Sequence, residues 1–278
     1  MPQAIVYPES ISDLRAILQE ATKKKWAVYV QGGKPGLTSA SIPAVAESVL
    51  ISMERFPNQI SQIKNDVLVA SASARLSQIH AAAEAAGCVF PVNPTETSAM
   101  LGGALACNAS GSRSFAFGPL RSWVRALKVL LINGEVLDLK RGMHLGPELH
   151  YAMPPCKNAA GYFADGDAVD LFIGSEGTLG IILQVELVLL LLPKIRLPMI
   201  CFFDDEDKAH RFILETRRRT RDAGDTLNTV VLEFIGQAIL TRFPRLEGMP
   251  TEAKAAVMLE HWANEQDEEA VLGCWAEH

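Results

Sequence analysis

The chain has 278 residues, 49% hydrophobic and 21% charged, with a formal net charge of −6. That length fits one large domain or two small ones, and the composition excludes a disordered chain. The acidic balance gives no support to a polyanion-binding surface, and ordinary numbers of glycine (20) and proline (15) exclude collagen-like and low-complexity classes.

The first predicted element is a helix over Ser12–Lys24, capped by Ser10 or Ser12, with Leu14, Ile17, Leu18 and Ala21 at helical spacing. Lys23, Lys24 and Lys25 close it at the negative end of the helix dipole. Trp26–Val30 reads as a buried strand, followed by a glycine loop from Gln31 to Thr38 and a second strand over Val49–Ser52. Such a unit places its loop at a strand's carboxyl end, where α/β sheets bind ligands. Ile60–Ser73 reads as two strands, and Leu76–Ala86 as an alanine-rich helix stopped by Gly87. Leu101–Asn108 is a small-residue helix with Gly102 and Gly103 at its start; glycine is costly there, so the pair predicts close approach by a backbone or a ligand. Lys128–Leu139 reads as a hairpin turning at Asn133-Gly134, and Gly174–Gly180 feeds a strand over Ile181–Leu192. Beyond it the order is β-α-β-β-α: Met199–Phe203, Asp204–Asp222, Thr229–Ile235, Ala255–Glu260 and Asp267–Trp275. A sandwich of that kind wants one more strand, so the second block is expected to be incomplete.

Charge divides these elements into two blocks. Residues 1–194 carry 16 basic and 16 acidic side chains, whereas residues 195–278 carry 10 and 16. Sixteen of the glycines lie at or before Gly180. The boundary is placed at Pro193 to Pro198. Cys88, Cys107, Cys156, Cys201 and Cys274 are odd in number and form no CxxC pair, which argues against a disulfide framework or a zinc site and for a reducing compartment. Met1–Ser10 lacks the pattern of a signal peptide, and the apolar run Ile181–Leu192 is too short to span a bilayer and contains Gln184 and Glu186. A cytoplasmic protein without a transmembrane segment is expected.

Three glycine-rich segments carry the chemistry. Gly32-Gly33-Lys34-Pro35-Gly36 follows a strand and can wrap backbone N–H groups around a phosphate, with Lys34 adding charge. It matches neither GxxxxGK[ST] nor GxGxxG. Leu101-Gly102-Gly103 with Asn108, Ser110, Gly111 and Ser112 is the second, and Gly174–Gly180 the third. Taken alone, the first reads more readily as a plain loop between two strands, and the other two as close helix packing or a tight turn. All three adjoin apolar strands, which favours one extended ligand crossing the domain.

Four ordered stretches resemble a known family. They are Val6–Ser10 before the first helix, Gln31–Leu37, Pro94–Gly103 with Asn108–Gly111 and Phe117-Gly118, and Lys157–Tyr162 with Leu171–Ile181. Over about residues 5–195 the chain resembles the FAD-binding domain of the vanillyl-alcohol oxidase and para-cresol methylhydroxylase (PCMH-type) family. Its nearest branch holds the glycolate oxidase flavin subunit and the D-lactate dehydrogenases. The resemblance implies an α+β class: a PCMH-type FAD-binding fold of two α/β subdomains, followed by the incomplete start of an α/β substrate (cap) domain. The expected domains are 1–194, with subdomains of about 1–55 and 56–194, and 195–278. The implied activity is oxidation of a 2-hydroxy acid such as glycolate or D-lactate by hydride transfer to non-covalent FAD.

By the same resemblance, Gly32, Gly33, Lys34, Pro35, Gly36 and Leu37 hold the pyrophosphate. Pro94, Thr95, Leu101, Gly102, Gly103 and Ser112 line the flavin and ribityl chain, and Glu176, Gly177, Gly180 and Ile181 meet the adenine side or the pyrophosphate. A side chain at Gly33 or Gly102 is expected to enter the cofactor's space. Gln31 stands where the family has arginine, Lys34-Pro35 where it has Gly-Thr, and Met100 where threonine is common. No histidine lies in the first loop to tether a flavin.

The six histidines, His80, His144, His150, His210, His261 and His278, have no metal-ligand spacing, so no metal is expected and no catalytic base is assigned. A non-catalytic FAD-binding module or accessory subunit is the alternative, and a cell-wall enolpyruvyl reductase on the same flavin fold a third reading. Expected partners are a small-molecule 2-hydroxy acid, an unknown electron acceptor and a possible partner chain completing the substrate domain, with no nucleic acid.

Overall fold

The structure, a computed structural model, describes residues 1–144, 162–163, 166–222, 227–242, 248–264 and 268–276. It divides into two compact units, Met1–Ser110 with Pro119–Leu191, and Gly111–Gly118 with Leu192–His278.

The first unit opens with a short strand that the sequence pattern did not show, β1 (Ala4–Val6), and the helix α1 (Ile11–Lys24). Ser10 caps α1 by accepting from the Asp13 N–H at 3.1 Å, and Lys25 ends it in the left-handed region. β2 (Ala27–Gln31) and β3 (Ser48–Ser52) complete a parallel sheet of order β1-β3-β2. β3 is central and buried at every position, as a strand covered on both faces must be. Leu14, Leu18 and Ala21 of α1 pack against Val49 and Ile51 of β3.

The chain then builds β4 (Val67–Ser71), α2 (Leu76–Ala85), β5 (Cys88–Val89), α3 (Leu101–Ala106), β6 (Val124–Leu130), β7 (Val136–Lys140), α5 (Ala168–Phe172), β8 (Ile181–Val188) and β9 (Leu190–Leu191). An antiparallel sheet runs β4-β8-β6-β7, and β5 pairs with β9. One core cluster gathers Leu68, Leu76, Phe90, Leu101, Leu127 and Val185 among others. Leu130, Ile181, Leu183 and Met100 instead join the cluster of the parallel sheet, so the two sheets share apolar contacts. β8 is buried at Ile181–Leu183, Val185 and Leu187 and half-buried at Gln184, Glu186 and Val188, so its two polar residues fall where the strand is partly exposed.

Two local readings change. The two strands expected in Ile60–Ser73 are one strand, β4, reached through isolated bridges from Lys64 to Val67 and from Ile60 to Ala70. Asn65 and Asp66 turn there with φ of +50° and +58°, the left-handed pair of a tight hairpin without glycine. The hairpin at Asn133-Gly134 is present, but its loop is longer than two residues. Gly134 N–H donates to Leu131 O, Leu131 N–H to Glu135 O, and Gly134 alone carries positive φ.

In the second unit, the antiparallel sheet β10 (Ile195–Phe203), β12 (Ala255–Ala263), β11 (Thr229–Ile235) is covered by α6 (Glu206–Arg221) through Ala209, Phe212 and Ile213. Asp205 caps α6 by accepting from the Asp207 and Lys208 N–H groups. The short α7 (Gln237–Leu240) and α8 (Glu268–Ala276) complete it. Residues 111–118, which the sequence reading assigns to the first domain, cluster with this unit. Their helix α4 (Ser114–Phe117) was not expected. Arg113 pairs with both carboxylate oxygens of Glu260 at 3.0 and 3.1 Å, and Phe117 packs on Trp262.

Candidate functional site: a cleft between three glycine segments

The loop after β2 lies on the residues that precede α3. A Cβ at Gly33 would stand 2.9 Å from Ser98 O and 3.2 Å from Met100 N, and one at Gly32 3.3 Å from Met100 Cβ. The second segment is fastened to β4's extension: Leu101 N–H donates to Ala74 O, Gly102 N–H to Ala72 O, and a Cβ at Gly102 would meet Ala72 Cβ at 2.7 Å. The third is fastened to the second, with Gly174 N–H on Leu105 O at 2.9 Å and Glu176 N–H on Ala106 O at 2.8 Å. A Cβ at Gly180 would collide with Val129 and Leu130. Bare backbone therefore lets three separate stretches touch, and all three face one cleft inside the first unit.

The cleft has an inner and an outer part. The inner, about 520 Å³ counting open solvent, is bounded by Gly102, Glu176, Gly177, Gly180 and Ile181 among others. The outer, about 1030 Å³ counting solvent at its mouth, is bounded by Gly33, Lys34, Pro35, Gly36 and Pro94 among others. Val30, Gly32, Met100, Gly103, Ala106 and Glu176 line both. The outer part alone lies near the upper end of the size range of cofactor pockets. A Cβ at Gly36, Gly103 or Gly177 would meet no atom within 4 Å. At those positions the missing side chain leaves space for a ligand. At Gly33 and Gly102 the first atoms that a Cβ would meet belong to the protein itself.

The polar groups are few. The N–H groups of Gly33, Lys34 and Gly36 donate to no protein acceptor among the described residues. Lys34, the cation of the loop, holds φ +67° where the family loop has glycine, and its Nζ lies 2.9 Å from Glu54 Oε1. Glu96 accepts from Ser98, whose hydroxyl and N–H hold its carboxyl below the usual range. Desolvation, then the Glu176 carboxylate, pushes the Cys107 thiol up, so it is a poor nucleophile at neutral pH. Three unused backbone donors beside one lysine make a cradle suited to a phosphate diester rather than to a metal. Among the described residues no group of three or more His, Cys, Asp or Glu could hold a metal ion.

Not every expected residue reaches the cleft. Leu101 is fully buried in the core, Leu37 is 99% exposed, and neither they nor Thr95 line it. Ser112 belongs to the second unit. His150, Cys156 and Lys157 through Gly161 fall outside the described residues. His144 lines neither part, and His210 packs against Phe234. Ala106 and Cys107 went unnoticed, although they follow Gly103 at helical spacing and so share its face. Ala72 and Met53 carry no sequence signal of their wall positions.

A family model described as an FAD binding domain matches residues 2–140. The chain belongs to the FAD binding domain family. Its relatives include the D-2-hydroxyglutarate dehydrogenase of Xanthomonas citri pv. viticola, 35% identical over 188 residues, covering 67% of this chain and 36% of the relative. The D-lactate dehydrogenase of Archaeoglobus fulgidus is 29% identical over 183 residues, 66% of this chain and 38% of that one. The glycolate oxidase subunit GlcD of Bacillus subtilis is 25% identical over 266 residues, 94% of this chain and 51% of that one. The chain thus spans from about a third to about half of the length of these relatives. The solved alkyldihydroxyacetonephosphate synthase superposes with a TM-score of 0.72 at 15% identity, over 98% of this chain and 49% of that one. The expected α+β, PCMH-type FAD-binding fold is the one found, and FAD is the cofactor of this domain.

Proposed function

We propose that this FAD binding domain holds FAD non-covalently as part of an oxidoreductase acting on a 2-hydroxy acid. The observation that carries this reading is the single cleft on which the three stapled glycine segments converge. Gly33, Lys34 and Gly36 offer N–H groups and one cation to the pyrophosphate, while Gly32 and Pro35 shape the loop. Pro94 and the bare face at Gly103 border the flavin and ribityl chain, with Gly102 keeping the helix close to Ala72. Glu176, Gly177, Gly180 and Ile181 close the inner end.

When bound, FAD supplies a two-electron acceptor for the hydride leaving C2 of the hydroxy acid, and the hydroxyl proton goes to a base. What the chain itself contributes is position and exclusion of water, through apolar walls at Val30, Met100 and Ile181. The names of the relatives support D-2-hydroxyglutarate, D-lactate and glycolate as substrates to test. No described helix is long and apolar enough to cross a membrane. Four described cysteines are free, and we place the protein in the cytoplasm on that ground.

The test is titration of the full chain with FAD, then anaerobic addition of each hydroxy acid. Flavin uptake followed by bleaching is expected. A bound flavin that no hydroxy acid reduces would favour the accessory module, and a chain that takes up no FAD would refute the assignment.

A further inference from the structure

The cation of the phosphate loop is already engaged. Lys34 Nζ sits 2.9 Å from Glu54 Oε1, with both side chains about half exposed. Glu54 lies in a one-turn 3-10 helix, Met53–Arg55, directly after β3, and Met53 of that turn lines the inner part of the cleft. Lys34 lines the outer part. Glu54 itself lines neither part but meets the cleft's Lys34 across twenty residues of sequence, and the two carry no net charge together. A dianionic ligand arriving there encounters a neutralised lysine with a carboxylate behind it.

Resting on the FAD assignment above, we propose that Glu54 sets the affinity of the cleft for dinucleotides. It competes with the pyrophosphate for Lys34, and cofactor uptake exchanges the Lys34 ammonium from the Glu54 carboxylate to a phosphate oxygen. An exposed pair of this kind is worth about fivefold in an equilibrium at most, so a ligand can break it. While the ammonium is shared between the two, a phosphate in contact with it lies ~6 Å from the carboxylate, two successive contacts away. Repulsion of two phosphate charges at that distance in water weakens binding about tenfold, and screening reduces this to about fourfold near 0.1 M salt. The unused N–H groups of Gly33, Lys34 and Gly36 feel no such competition, so they supply the part of the affinity that Glu54 does not tax.

The experiment uses the full chain stripped of flavin and titrated with FAD by fluorescence at low and moderate salt. Glu54→Gln is expected to bind FAD about tenfold tighter than wild type at low salt and about fourfold tighter near 0.1 M. Glu54→Asp keeps the charge and should stay within about twofold of wild type. Thermal melting of the three flavin-free proteins reports that each is folded. If wild type binds FAD and Glu54→Gln binds no more tightly, or if Glu54→Asp gains as much, competition at Lys34 is overturned while the FAD assignment stands. If wild type itself takes up no FAD, both fall.

Discussion

Gly103→Leu separates a cleft kept open for a ligand from one that is merely loose packing. Gly103 sits inside α3, lines both parts of the cleft, and a Cβ built there meets no atom within 4 Å. The backbone has no reason to refuse a side chain; replacing a helical glycine by a helix former stabilises by about 0.5–1 kcal/mol. The melting temperature of the flavin-free chain should therefore hold or rise by roughly 1–4 °C. A leucine projecting into the occupied volume imposes the cost of an overpacked contact, about 1–3 kcal/mol, and FAD affinity should fall about tenfold to a hundredfold. Gly102→Ala, one residue earlier, should do the reverse. Its Cβ would lie 2.7 Å from Ala72 Cβ and 3.2 Å from Ala72 O, so it should lose about 1–3 kcal/mol of stability. Fluorescence titration with FAD and thermal melting of both variants give the comparison. Wild-type FAD affinity in a folded Gly103→Leu would refute the placement of the cofactor over α3.

Other outcomes follow from the same geometry. Lys34→Gly should leave the melting temperature within about 2 °C of wild type. Relief of the left-handed backbone offsets glycine's entropy and the lost surface pair with Glu54, while FAD binding weakens. Arg121→Met removes a mostly buried guanidinium that donates to Asp170 Oδ1 and to the carbonyls of Asp170 and Ile173; melting should fall by roughly 6–20 °C, from a cost of about 3–5 kcal/mol. His261 is buried, accepts at Nδ1 from Asn228 N–H and Trp275 Nε1–H, and has its pKa lowered by desolvation from 6.5. Protons bind it more tightly in the unfolded chain, so its contribution to stability is complete above about pH 6.5 and is lost as pH falls through the folded value. Urea midpoints of wild type should therefore drop between pH 8 and 5 more than those of His261→Gln, and parallel curves would sink that account.

Long apolar periodicities made most of the fold legible. Leu14, Leu18 and Ala21 mark the buried stripe of α1, and the acidic start and basic end of α6 mark both its limits. Strand β1 is three residues long, with one of them exposed, and offers too little pattern to detect. The turn at Asn65-Asp66 hid for another reason: two ordinary residues adopt the conformation that glycine advertises. Residues 111–118 read as part of the glycine-rich block because their attachment depends on Arg113 meeting Glu260, 147 positions away, and local sequence holds no trace of that. For the site, the three glycine clusters were legible and their separate tasks were not. Whether a glycine is bare for the protein or for a ligand depends on what faces it, and only the placement of Ala72, Ser98 and Val129 decides.

That distinction bears on how a nearly neutral cleft would receive the dianion proposed for it. Gly33, Gly102 and Gly180 let neighbouring backbone and side chains approach to distances no Cβ permits, which brings the walls together. The space they frame is bordered by Lys34, Glu96 and Glu176, a set with no surplus of positive charge. Attraction must then come from oriented N–H dipoles at Gly33, Lys34 and Gly36, fixed by the loop at no further cost when the ligand arrives. Such dipoles act at contact range and release few counterions. In wild type, with Lys34 already neutralised by Glu54, FAD affinity should change less than about threefold between 50 and 200 mM salt, far less than a site built from bare cations would show. A steep loss of affinity over that range would mean that free positive charge, and not the backbone of the loop, holds the pyrophosphate.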